Sequence, residues 1–274
     1  MAVGETRDEG LVLAIHAAGS ISALARGLGL SQPSVSAWSR VPAERVVAVE
    51  SFTGISRECL RPDIFGITTM IQAGPGMTRF EAEEVDETDQ ARADEYRLLA
   101  TLLARPPSVE VLLAVAGIGG NPSPLGMAHI ALGQAASRAD EAGVGREYFN
   151  VFVGVGRGEV LPYASFYLTG FLHERPLARV REDLVRLGIE RREGVHEPED
   201  QLATLLEVMA GLIGGEFRAP VAEQKYFFER HLKPWAARCF ADIQVAESAK
   251  FYRAVASVGR LWIEIESEAF ELPE

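Results

Sequence analysis

From Pro176 to the C-terminus, apolar residues recur at intervals of three and four, and the runs are punctuated by glycine or proline. Leu177, Val180, Leu184 and Leu187 fit one face of a helix, with Pro176 suited to its first turn and Gly188 to its stop. Leu202, Leu205, Leu206, Met209, Leu212 and Ile213 form a second stripe, closed by Gly214 and Gly215. Phe227, Phe228, His231 and Leu232 precede Pro234, which should end or kink their helix. Phe251, Val255, Val258, Trp262 and Ile265 share a face of a last helix. Stripes of this period bury themselves against one another, so the fold class is all-α. One segment runs against the trend. Phe149, Val151, Val153 and Val155 alternate as a strand would. No partner strand is in view, so the segment reads as a helix end running into a loop.

The 274 residues, 47% of them apolar, suffice for one large domain or two smaller ones. A compositional break lies between Gly66 and Asp89. Residues Met70 to Gly76 read as a loop, and Glu81, Glu83, Glu84, Asp86, Glu87 and Asp89 follow as an acidic run with little to bury. The expected organisation is a small domain over 1–66, a linker over 67–88 and a larger domain over 89–274. A net charge of −12 argues against a general binder of nucleic acid or anionic membrane. Cys59 and Cys239 stand far apart with no second ligand beside either, so neither a disulfide framework nor a metal site is expected. The stretch Leu11 to Ala18 is too short to span a bilayer, and the acids Glu5, Asp8 and Glu9 have the wrong charge for an export signal. The expectation is a cytoplasmic chain without membrane insertion.

Residues 21 to 40 carry a helix-turn-helix pattern. Leu24 and Leu28 supply apolar positions of the first helix, Ala25 is small where the helices approach, and Gly29 suits the turn. Leu30, Val35 and Trp38 are expected on the apolar face of the second helix. Over roughly the first 65 residues the segment resembles Cro-like regulators of the YdaS type. That resemblance implies a second helix lying in the DNA major groove, with Gln32, Ser34, Ser36 and Arg40 facing base edges or phosphate. Ser31 would be an N-cap or a phosphate contact. Six arginines against seven acids in residues 1 to 66 leave this module weakly placed to neutralise phosphate unless it dimerises. The alternative is a retained three-helix module that serves homodimer formation or no binding at all.

Three stretches of the larger domain carry a second pattern. The first is Leu161-Pro162-Tyr163-Ala164-Ser165-Phe166-Tyr167, running into Gly170-Phe171-Leu172. The second is Glu197-Pro198-Glu199-Asp200-Gln201, and the third is His231-Leu232-Lys233-Pro234-Trp235. In this order and spacing they resemble the TorD/DmsD family of twin-arginine signal-peptide chaperones, over residues 89 to 274. The resemblance implies an all-helical protein that binds the twin-arginine signal peptide of an exported molybdoenzyme. Such a protein holds the apo-form of the catalytic subunit until cofactor is inserted, and needs no cofactor, metal or catalytic residue of its own. The stretch Gly154 to Glu159 resembles members associated with formate dehydrogenase. The family's second motif commonly ends in His, where this chain has Gln201, so an imidazole role is lost and a hydrogen-bonding one remains.

The residues fit such a ligand. Glu197, Glu199 and Asp200 sit where a loop becomes a helix, and carboxylates pair with guanidinium through short charge-assisted bonds. Acids there also stabilise a helix start on their own, which is the favoured reading for Glu199 and one of two open for Asp200. Pro198 would set the helix entry. Tyr163, Tyr167 and Trp235 can line an apolar groove while satisfying a polar tip, or simply fill a core. Pro162 and Ser165 belong to the same candidate peptide site. Enzyme motifs are missing: Gly154, Gly156 and Gly158 are followed by Glu159 where a dinucleotide fingerprint needs glycine, and no phosphate loop or hydrolase motif occurs. A transcription regulator that uses the larger domain as a sensor is the competing reading.

Overall fold

The computed structural model describes residues 7–42, 45–55, 60–61, 70–74, 86–192, 195–215 and 217–272. They fall into two compact units, Met1–Thr68 and Thr69–Glu274.

The first unit packs short helices around Leu11, Leu24, Ala25, Val35, Val46, Val49 and Leu60, all of them buried. Helix α1 (Glu9–Ala18) starts where the Asp8 carboxylate accepts the Leu11 N–H, and ends at Gly19 with φ +82°. Helix α2 (Ile21–Gly27) is capped by Ser20, and α3 (Gln32–Ser36) by Ser31. The turn between them needs Gly29, whose φ of +67° disfavours any side chain. Helix α4 (Val46–Thr53) packs on α1. The second helix of the motif is shorter than its pattern suggested. Trp38 and Arg40 lie past its end, and Trp38 packs on the core from there. The Ser39 carbonyl accepts the Asp8 N–H at 2.8 Å, and Val41 precedes a proline; both hold the chain out of helix.

The second unit is built around one buried helix. It begins with β1 (Ile71–Ala73), followed by α5 (Glu87–Ala104), α6 (Val109–Ala116), α7 (Pro124–Ser137) and α8 (Glu141–Tyr148). Then come α9 (Ala164–Thr169), α10 (Arg175–Leu187), β2 (Ile189–Arg191) and α11 (Leu202–Gly214). Helices α12 (Val221–His231), α13 (Ala236–Val245) and α14 (Phe251–Ala269) complete it. Every residue of α11 from Leu202 to Ala210 is buried, which suits a helix apolar all round. It packs along α5, while α14 packs on α13 and α7. The predicted stops hold: α10 ends at Gly188, φ +68°, and α12 ends three residues before Pro234. Ile265 departs from its predicted stripe at 40% exposure, and the buried face continues through Ile263 and Glu266 instead. Glu266 can be buried because Arg92 and the Tyr96 hydroxyl donate to its carboxylate.

Of two ambiguous segments, the first keeps its reading as a helix end running into a loop and the second does not. The alternating residues 149–155 continue α8 as a π-helical turn, Phe149–Val153, that buries Val151 and leaves Phe149 and Val153 half exposed. Met70 to Gly74, read as loop, contain strand β1, which pairs antiparallel with β2 in the register Ile71 to Arg191 and Ala73 to Ile189. Met70 and Ile71 are buried in the helical core, and the Met70 N–H donates to Glu207 of α11 at 2.8 Å. Of the expected 67–88 linker, these residues therefore belong to the second unit, and Asp86 is the N-cap of α5. Residues 67–69 and 75–85, including Glu81, Glu83 and Glu84, lie outside the described residues.

Among the described residues no single helix is long and apolar enough to cross a membrane.

Candidate functional site

The first and second motifs of the larger unit cross. Tyr163 and Gln201 form an antiparallel bridge, flanked by Ala164 N–H to Asp200 O at 3.0 Å and Leu202 N–H to Pro162 O at 2.8 Å. Across this crossing Asp200 caps the start of α9: its Oδ2 accepts the Ser165 N–H at 2.8 Å and the Ser165 hydroxyl. Asp200 is 1% exposed, and its Oδ1 is buried without a hydrogen-bond partner among the described residues. Gln201 caps α11, its Oε1 accepting from Ala203 N–H at 2.7 Å and Thr204 N–H at 3.3 Å. That is the hydrogen-bonding role open to a glutamine. Glu199 pairs with Arg181 at 2.9 Å. The Tyr163 hydroxyl donates to Glu197, and burial together with that carboxylate pushes its pKa up. Tyr148, close by, is pushed up to about 12 by burial and then by Glu197.

The third motif joins through rings. Trp235 is buried, donates its indole N–H to the His231 carbonyl at 2.6 Å, and stacks on Tyr167 with centroids 5.3 Å apart. His231 holds Asp183 at 2.7 Å; burial lowers the imidazole pKa despite that carboxylate. Tyr167 donates its hydroxyl to Asp242 of α13 at 2.7 Å, and burial raises its pKa. Beside it opens a cleft of about 380 Å³ between the 157–167 segment and the end of α13. A larger hollow of about 740 Å³ runs along α10 from His173 to Val185, reaching Arg181, but a single helix with its preceding loop lines it.

The crossing thus gathers Pro162, Tyr163, Ser165, Glu197, Pro198, Asp200 and Gln201, with Tyr167 and Trp235 alongside. Pro162, Ser165, Asp200, Gln201 and Trp235 are buried, while Tyr163, Tyr167, Glu197 and Pro198 are half-buried. Tyr167 alone of these lines the cleft; its other walls include Arg157, Phe166, Asp242, Val245 and Glu247. Phe166 lies in the first motif and Arg157 in the stretch from Gly154 to Glu159, though neither was an expected site residue, and Asp242, Val245 and Glu247 belong to no motif. Asp242 follows Trp235 by seven, two helical turns along the same face, which is the signal that could have found it.

In the first unit, Ser31 is the N-cap of α3 and its hydroxyl lies 2.7 Å from that of Ser34. Gln32 donates to the Ser36 hydroxyl at 2.8 Å. Ser31, Gln32, Ser34 and Arg40 are exposed and Ser36 is half-buried, with Arg40 four residues beyond the helix.

The described residues therefore form two largely helical units, a helix-turn-helix module and a helical domain in which two motifs cross and a third joins them through rings. Residues 11–68 match the family described as bacterial toxin YdaS, and residues 120–241 that described as nitrate reductase delta subunit. Chaperone protein TorD of Aliivibrio fischeri is 31% identical over 120 residues, 40% of this chain and 55% of that protein. TorD of Shewanella loihica is 25% identical over 210 residues, 68% of this chain and 96% of that one. The chain so spans about half the length of the first relative and nearly all of the second. A crystal structure of a proposed redox enzyme maturation protein from Archaeoglobus fulgidus superposes with a TM-score of 0.42 at 16% identity, covering 68% of this chain and 99% of that one. In sequence the larger unit is similar to the TorD chaperones, and the smaller to the YdaS family.

Proposed function

We propose that this protein is a cytoplasmic chaperone that binds the twin-arginine signal peptide of an exported molybdoenzyme and holds the apo-form of its catalytic subunit for cofactor insertion. A formate dehydrogenase is the first client to test. The observation that carries the reading is the convergence of the three motifs: Asp200 fixes the start of α9, and α9 sets Tyr167 between Trp235 and the cleft. Nothing in this arrangement asks for bond making; it holds a groove in shape. The test is calorimetric titration of the full chain with a synthetic peptide carrying Arg-Arg ahead of an apolar run. Saturable binding that is lost when both arginines become glutamine is expected. Binding indifferent to that change would overturn the reading.

A second reading is favoured by the match of residues 11–68 and by the exposed Gln32 and Ser34 on α3. It is a DNA-binding regulator, working as a homodimer, in which the helical domain acts as sensor. Selection from a random DNA pool at low salt is its test. An enriched motif would support it, and no enrichment would leave the module without a DNA role.

A further inference from the structure

The cleft beside Tyr167 already holds one guanidinium group of the protein itself, Arg157, and a second, Arg238, lies just outside its lining. Arg157 lies over the Phe166 ring at 5.1 Å and Arg238 over the Tyr167 ring at 4.9 Å. Both distances are those of cation–π contacts, so these ring faces accept a planar cation. The lining sets one arginine against three carboxylates, Glu159, Asp242 and Glu247. Glu159 is committed, because it accepts the Ser248 N–H at 3.2 and 3.3 Å and is held below its ordinary pKa by that contact. Asp242 uses one oxygen for the Tyr167 hydroxyl. Glu247 is exposed and makes no ion pair among the described residues. Val160, Leu161 and Val245 supply an apolar wall, and Val245 stands 80% exposed. The cleft thus offers aromatic faces, surplus negative charge and apolar surface side by side.

We propose that this cleft seats an arginine of an extended peptide segment. The incoming guanidinium takes the place that Arg157 holds on Phe166, pairs with Asp242 and Glu247, and lets apolar residues beside it lie on Val245. The proposal names the docking point for the signal-peptide reading and rests on it. Exchange of one guanidinium for another needs no loop opening. A Cβ on Gly154 would collide with the Arg157 carbonyl, and one on Gly158 with the backbone of Phe152, so the backbone that carries Arg157 is packed tightly. Release of the ring is a rotation of the Arg157 side chain. Lysine is a poorer occupant, since a compact, strongly hydrated ammonium neither stacks on a ring nor forks to two carboxylates. An acidic segment is excluded by repulsion from the three carboxylates.

The test titrates the full chain and three variants with the Arg-Arg peptide and its Lys-Lys counterpart, circular dichroism confirming the fold. Glu247→Gln should weaken the Arg-Arg peptide about threefold, the scale of a half-screened ion pair. Asp242→Asn keeps an acceptor for the Tyr167 hydroxyl and should weaken it about tenfold. Arg157→Ser, which removes the resident competitor, should tighten it about threefold. The Lys-Lys peptide should respond less to each change. Weaker or unaltered binding by Arg157→Ser would overturn the exchange. Wild-type binding that none of the three variants alters would place the peptide elsewhere and leave the chaperone reading intact. No binding by the wild type would end both.

Discussion

The two units handle their polar residues in opposite ways. In the small unit Ser20, Ser31, Gln32 and Ser34 bond within a few residues of themselves, at the surface. In the large unit polar residues inside and outside the motifs turn inward and tie together stretches far apart: Asp200 to Ser165, Glu207 to Met70, Glu266 to Arg92. Local bonding makes the small unit a surface presented by a modest core. Long-range bonding makes much of the large unit's motifs into framework, while Leu161, Phe166 and Tyr167 of the first motif face the cleft.

The strongest way to break this contrast is to cut the long-range ties. A fragment starting at Asp89 loses buried Met70 and Ile71 and strips Glu207 of its Met70 donor. Against a fragment starting at Thr69 it should be less stable by about 4 kcal/mol or more in urea unfolding. Equal stability would mean that the ladder is ornamental.

Asp200→Asn comes next. Loss of the charged acceptor at Ser165 should cost about 2 kcal/mol of stability. If Asp200 is framework, the Arg-Arg and Lys-Lys peptides should then lose affinity equally. A selective loss for Arg-Arg would restore Asp200 as a direct contact.

Paired caps sharpen the comparison further. Gln201→Ala should cost about 1 kcal/mol, because both N–H groups it satisfies are buried. Ser31→Ala should cost about 0.5 kcal/mol, since its bond to the Ser34 N–H is 3.4 Å long and exposed. The reverse order in thermal melts would contradict the assignment of inward and outward polar groups.

The smallest effect is in pH. Burial holds the His231 pKa below its ordinary 6.5, so the unfolded chain takes up a proton the native state refuses, and stability falls as pH drops below 6.5. Glu95 raises the pKa of His129, so that residue adds stability below 6.5 which is lost as pH climbs through its folded pKa. The two oppose each other. His231→Gln should flatten the loss of stability below pH 6.5, and an unchanged slope would count against the buried neutral state of His231.

The helices were legible because a 3.6-residue period needs only a local window. The stripe from Leu202 to Ile213 is the buried central helix, and Gly29 and Gly188 take the left-handed conformations expected of them. What escaped was set by partners distant in sequence. A three-residue strand such as Ile71–Ala73 has no period to read, and its partner lies over a hundred residues away. The end of α3 was misplaced because the Ser39 to Asp8 bond that draws the chain aside is tertiary. The candidate site was half legible. The resemblance of the three motifs pointed to the aromatic and acidic residues, but which carboxylates face a cleft depends on how α13 docks beside α9.

The short ladder between Ile71–Ala73 and Ile189–Arg191 also has a mechanical consequence. Any pull transmitted along the chain from the small unit reaches residue 70 before it reaches α5. Tension would load this three-pair clasp, with the bonds from Arg192 N–H to Met70 O and from Gly74 N–H to Gly188 O at its two ends. The central helix α11 would share the load from the start, because the Met70 N–H is bonded to Glu207.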